Sequence, residues 1–172
     1  MGRRISLREF QENLARRLAE SRTSDRRTLL GVEAGGENWL VDLIDTGEIL
    51  PVPPLSPVPL TRPWFRGIAN LRGTLYGIID FSSFHAGPLV HPTGLARLLL
   101  LHGRHGVNSA LLFARTSGLH SPEEFENDPG PADERPWVAG KFRDMQDRPW
   151  LRLDVNALIT HRRFLEAGLG ES

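Results

Sequence analysis

Two periods organise the hydrophobic positions of this chain. Over the first 22 residues Leu7, Phe10, Leu14 and Leu18 recur at three- and four-residue intervals, the spacing of one helical face. Arg8, Gln11, Glu12 and Arg16 fall on the opposite face. Ser6 and Glu9 have capping-box spacing and Ile5 with Phe10 suits a hydrophobic staple, so a capped amphipathic helix is predicted. Its apolar stripe is expected to dock on the chain's own body. "RTSDRR" then reads as a polar linker.

From Thr28 the period becomes two. "TLLGVEA" and "NWLVDL" predict a hairpin around Gly35 and Gly36, and "IDTGEIL" predicts a short turn leading into a strand. Six prolines between Pro51 and Pro63 exclude a central strand, because proline lacks the ladder donor. An ordered edge or crossover segment is expected there, with a polyproline-type ligand as the other reading. "WFRGIAN" and "TLYGIIDF" flank a turn at "NLRG", and "LARLLLLH" and "VNSALLFA" flank a second at "GRHG". The acidic, proline-bearing stretch from Ser121 to Glu134 reads as a solvated loop. "RPWLRLD" predicts a last strand, and "VNALITHRRFLEAGL" a short helical tail. Two helical ends bracketing many short strands make the class mainly β and barrel-like.

At 172 residues the chain suits one domain or two small subdomains with a real core. Its 21 basic and 21 acidic side chains cancel, so no bulk attraction to nucleic acid or membrane is expected. Cysteine is absent, which removes thiolate metal sites and cysteine nucleophiles. No apolar run approaches the roughly 20 residues that span a bilayer. "MGRRISLREF" lacks the apolar core of a signal peptide, so a cytoplasmic protein is expected.

Signatures of catalysis are missing: no Walker loop, no G-x-S-x-G elbow and no H-E-x-x-H. His102 and His105 lie three apart at a hairpin tip without a nearby carboxylate in sequence. Asp42, Asp45, Glu48 and Asp80 are the carboxylates nearest the apolar strands, and they read as turn and cap residues as readily as acid–base groups. The four tryptophans are scattered and make a weak stacking surface for single-stranded nucleic acid. What stands out is Arg72, a guanidinium at a strand entrance between Leu71 and Gly73. Its five donors suit holding a carboxylate and several carbonyls at once.

The order "NWLVDLIDTGEIL", a proline-bearing link, "WFRGIANLRG" and "GIIDF" resembles the CheW family of chemosensory adaptors. The family's glutamate–isoleucine step is present as Glu48–Ile49, its N-L-R-G turn as Asn70, Leu71, Arg72 and Gly73, and its strand-ending aspartate as Asp80, and the resemblance makes Glu48 the expected partner of Arg72. Ala114 stands where an aspartate is usual, and Phe81 replaces a frequent leucine. The N-terminal extension and "SGLHSPEEF" look most like the PilI branch, which serves type IV pilus twitching. The resemblance implies a mainly β, CheW-like fold of two small five-stranded β-barrel subdomains, with an added N-terminal helix and a short C-terminal helix. Residues 1–27 would be the helical extension and linker, and residues 28–168 the CheW-like domain.

It further implies no enzymatic activity, no cofactor, no metal and no nucleic acid. The implied partners are the regulatory domain of a CheA-type histidine kinase and the cytoplasmic tip of methyl-accepting chemoreceptors. The receptor's helical hairpin would lie between the barrels, and an apolar barrel end would meet the kinase. Glu48, Ile49, Asn70, Leu71, Arg72 and Gly73 would form the partner-binding surface of a cytoplasmic adaptor recruited to receptor arrays without inserting in the membrane. A flagellar output, or a small β-barrel nucleic-acid module, are the alternative readings.

Overall fold

Two leucine-rich strands are buried on both faces, and they organise the molecule. The computed structural model describes residues 7–26 and 28–168. In β6 (Arg97–Leu101), Leu98 and Leu100 face one apolar cluster while Leu99 and Leu101 face another. In β7 (Ser109–Phe113), Ala110 and Leu112 divide from Leu111 and Phe113 in the same way. Continuous apolar runs are what strands covered on both sides require.

These strands belong to a five-stranded sheet with β3 (Thr46–Pro51), β4 (Phe65–Leu71) and β5 (Thr74–Asp80), in the order β3-β6-β7-β5-β4. The other sheet takes its strands from both ends of the chain. From one end come the hairpin β1 (Leu29–Ala34) and β2 (Glu37–Asp42). From the other come β8 (Arg115–His120), β9 (Phe125–Asn127), β10 (Val138–Asp144) and β11 (Pro149–Leu153). Their order is β8-β1-β2-β11-β10-β9, with β11 parallel to β2. Each sheet wraps a small interior: Leu29, Leu40 and Trp150 in the six-stranded one, and Ile78, Leu98 and Leu112 among others in the five-stranded one. The largest apolar cluster lies between the sheets and holds Trp39, Phe81, Phe84, Phe113 and Trp137.

The expected β1–β2 turn is present, with Gly35 and Gly36 at φ 60° and 78°, the left-handed pair that a two-residue hairpin needs. The proline run is a crossover, touching the sheet at one bridge between Ser56 and Ile68. One sheet has six strands instead of five. The sixth, β9, comes from the acidic stretch read as loop. Phe125 packs edge-on against Trp150, ring centroids 5.4 Å apart, and brings residues 125–127 alongside β10. The helical tail is two pieces, α3 (Val155–Thr160) and α4 (Arg162–Leu165), because His161 between them is extended at ψ 138°.

The N-terminal helix α1 (Leu7–Arg26) forms but does not dock as the sequence suggests. Leu7, Phe10 and Leu14 are 73%, 58% and 49% exposed, and the helix nears the body at the single-turn helix 43–45. The physical reason is that the two sheets cover each other, so their largest apolar faces are already filled. The helix also runs through most of "RTSDRR", since residues 7–26 contain no glycine or proline to end it. The expected cap and staple involve Ser6 and Ile5, which lie outside the described residues, as does the side chain of Leu18.

Asp80 pins the junction between sheet and intersheet core. Its side chain is fully buried at the end of β5 and caps the short helix α2 (Phe81–Phe84), with Oδ1 accepting from the Ser83 N–H at 3.0 Å. Oδ2 accepts from Arg66 Nη1 at 2.8 Å and from the Val90 N–H at 2.9 Å. Arg66 also donates to the Val90 carbonyl at 2.8 Å, so one buried ion pair ties strand, helix and following loop together. Asp80→Ala should strand the Arg66 charge and cost about 3–5 kcal/mol. Differential scanning calorimetry should show Tm falling by roughly 10 °C.

His85 sits just beyond, among Trp39, Phe81, Phe84 and Trp137. The Trp137 indole N–H donates to its Nε2 at 2.8 Å, which leaves Nδ1 to donate to the Phe81 carbonyl at 2.7 Å. Burial lowers its pKa from 6.5 to about 4, outweighing the bond to Phe81. A depressed histidine stabilises the fold in its neutral form. That contribution is fully present above about pH 6.5 and disappears as pH falls toward about 4, up to roughly 3 kcal/mol in all. Urea unfolding of wild type and His85→Gln should therefore differ in pH slope across that window and run parallel above pH 7.

Candidate functional site

The β4–β5 hairpin decides what Arg72 does. Leu71 pairs with Thr74, leaving Arg72 and Gly73 as a two-residue loop with φ 55° and 84°. Both are left-handed, a geometry that glycine adopts freely and arginine adopts at some cost. Asn70 supports the loop by accepting the Gly73 N–H on Oδ1 at 2.9 Å. Arg72 therefore does not enter a core. It is carried outward on the tip of a tight turn.

From that tip Arg72 Nη2 donates to Glu48 Oε1 at 2.5 Å, the partnership the sequence suggested. Folding brings them together because the five-stranded sheet closes. Its edge strands are β3 and β4, and the chain beyond β3 returns to β4 through two reciprocal bonds between Ser56 and Ile68, each 2.9 Å. Gly67 permits the approach, since a Cβ there would lie 2.2 Å from the Ser56 carbonyl oxygen at φ 115°. The resulting ion pair is a surface one, with the Arg72 side chain 81% exposed and that of Glu48 38%.

Beneath the pair runs an open groove of about 390 Å³, lined by Glu48, Asn70, Leu71 and Arg72 together with Leu50, Thr74, Tyr76 and Leu100. Four of the six expected site residues thus share one surface. Ile49 points the other way by strand alternation and is half exposed, while Gly73 faces open space. Leu50, Thr74, Tyr76 and Leu100 lie outside the expected set, and Leu50 and Tyr76 are the two that strand parity could have found. Counting by two from Glu48 and from Thr74 finds both.

A second depression, about 660 Å³, separates the β1–β2 hairpin from the loop after α2. It is lined by Gly35, Gly36, Pro88, Leu89, Val90, Leu95 and Ala114 among others, and Leu89 and Leu95 are 54% and 67% exposed. Ala114, where the sequence departs from the family's aspartate, closes one side, its N–H donating to the Glu33 carbonyl at 2.9 Å.

Each carboxylate weighed as an acid–base candidate is held by an arginine: Asp42 by Arg152, Asp45 by Arg104, Glu48 by Arg72 and Asp80 by Arg66. His105 meets Asp45 at 3.0 Å, a carboxylate far away in sequence, but shares it with Arg104. Among the described residues no three His, Asp or Glu side chains are gathered to hold a metal. None of their helices is long and apolar enough to cross a membrane.

Residues 28–163 match the family model of the CheW-like domain. The chain belongs to that family. Its CheW-like domain places it among the scaffolds of chemosensory signalling. It is 28% identical over 144 residues to Protein PilI of Pseudomonas aeruginosa, covering 81% of this chain and 79% of that one. Its fold is similar to that of the scaffolding protein TtCheW from Thermoanaerobacter tengcongensis, with TM-score 0.66 at 16% identity over 80% of this chain and 95% of that one. The CheW-like match spans both sheets, from β1 into α4, and leaves α1 outside it.

A pair this exposed should add little to folding stability. Arg72→Asn should keep the turn, because asparagine tolerates the left-handed region, and should change stability by less than about 1 kcal/mol. Thermal unfolding of that variant beside Gly67→Ala, which meets the Ser56 carbonyl, should leave the first near wild type and lower the second clearly.

Proposed function

We propose that this protein is a non-enzymatic adaptor that couples methyl-accepting chemoreceptors to a CheA-type histidine kinase in a system driving type IV pilus twitching. The observation that carries the proposal is the exposed Glu48–Arg72 pair, presented by a rigid hairpin tip within a CheW-like domain. The likeness to PilI supports the pilus output.

The mechanism is binding geometry. Arg72 is held in place before any partner arrives, so little side-chain ordering is left to oppose association. Its donors beyond the Glu48 bond are free to meet carbonyls or carboxylates of a partner. The depression with Leu89 and Leu95 supplies what an amphipathic helical hairpin needs, an apolar floor between two walls. With the two surfaces on one stiff body, receptor and kinase are held in a fixed relation, and a change in receptor conformation biases phosphorylation.

Binding of a receptor cytoplasmic fragment and of the kinase regulatory domain, measured by titration calorimetry, tests this. Arg72→Ala is expected to weaken at least one partner about tenfold with Tm unchanged, and Arg72→Lys not to restore it, because an ammonium lacks the planar fork. Leu95→Asp is expected to impair the receptor fragment and spare the kinase domain. Wild-type affinities for both partners in all three variants would sink the proposal.

A further inference from the structure

Among the described residues most arginines are matched to carboxylates. Arg66, Arg104, Arg115, Arg135 and Arg152 each reach one across the fold. Among the described residues Arg62 and Arg163 have no carboxylate within ion-pair distance, and both line the same pocket. That pocket, about 400 Å³, borders the intersheet core at Trp64 and is completed by His161, Arg162 and Glu166. Glu166 is the one acid among its described lining residues, and Arg162 Nε already occupies it at 2.8 Å.

The pocket is built on fixed backbone. The Arg62 N–H donates to the Ala167 carbonyl at 2.7 Å, and Thr61 bridges Gly168, so the segment before β4 is tied to the segment after α4. The Arg163 guanidinium rests 4.8 Å from the centre of the Phe84 ring, and the His161 ring meets Trp137 edge-on at 5.1 Å. Two guanidiniums without a carboxylate partner on one pocket give it a positive potential that favours an anion. We infer that this pocket binds a phosphoryl-type dianion, bridged by Arg62 and Arg163.

The remaining chemistry narrows the ligand. A guanidinium fork matches a phosphate oxygen pair, and two forks match a dianion better than a single carboxylate. Trp64 is buried, and Phe84 lies fully buried beneath Arg163, so no bare aromatic face is offered to a nucleobase. The backbone N–H groups of Arg62 and Arg163 are engaged, by Ala167 and by His161 Nδ1, so recognition falls to the side chains. The site reads charge and oxyanion geometry, which a free phosphate compound or a phosphorylated side chain can supply. It does not depend on the adaptor reading, whose surfaces involve other residues.

Titration calorimetry at low salt, with inorganic pyrophosphate and separately with a phosphoserine peptide, tests the site on the full chain. At least one is expected to bind with a submillimolar Kd, and the tighter of the two names the source. Arg62→Gln and Arg163→Gln should each weaken it about tenfold or more, with circular dichroism and Tm confirming that the variants are folded. Arg16→Gln, which removes an exposed arginine on α1, should leave it unchanged. Absence of binding by both probes, or equal loss in the Arg16 variant, would overturn the assignment.

Discussion

Because Leu98 to Leu101 and Ala110 to Phe113 are buried on both faces, one pair of strands is at once the inner wall of a barrel and half of the contact between sheets. Successive side chains on a strand point to opposite sides, so neither face can change without the other strand face being held in place by its own core. The rest of the molecule hangs from that wall. The β4–β5 hairpin pairs to it through β5 and β7, and β3 pairs to it through β6. Asp80 then fixes the point where β5 leaves the wall for α2, by a carboxylate fully buried among its partners.

Similar arginine–carboxylate chemistry serves opposite ends in this fold, and burial decides which. Arg66 and Asp80 meet inside, where desolvation makes the loss of one partner severe. Arg72 and Glu48 meet in solvent, where the pair is weak as a stabiliser and available as a surface. Sequence separates these two pairs poorly: Arg66 and Asp80 join neighbouring strands and Arg72 and Glu48 the two edges of the sheet, but spacing shows the exposure of neither. Accessibility is a property of the closed barrel and not of spacing.

Much of the rest was legible. The Gly35–Gly36 turn, the N-L-R-G turn and the crossover character of the proline run follow from local chemistry, the Glu48–Arg72 pairing from the family resemblance, and the structure shows all four. The misreadings share a cause. The stripe Leu7, Phe10 and Leu14 has a helical period, but a period says that a face is apolar and not what covers it. Phe125 sits in an acidic stretch whose composition says loop, and it was drawn into an edge strand by Trp150, a residue far along the chain. In the groove, Leu50 and Tyr76 carry no motif, and their place depends on strand parity alone.

The two sheets differ in how they draw on the chain, and this bears on the order of assembly. The five-stranded sheet is contiguous, β3 through β7, so it can close while the ribosome is still making the remainder. The six-stranded sheet cannot. Its β1–β2 hairpin waits for β11, which must return from the other end of the domain to lie parallel beside β2. During that interval Trp39, Val41 and the outer leucines of the wall lack their cover, so synthesis speed and chaperone access bear most heavily on the second half of the chain.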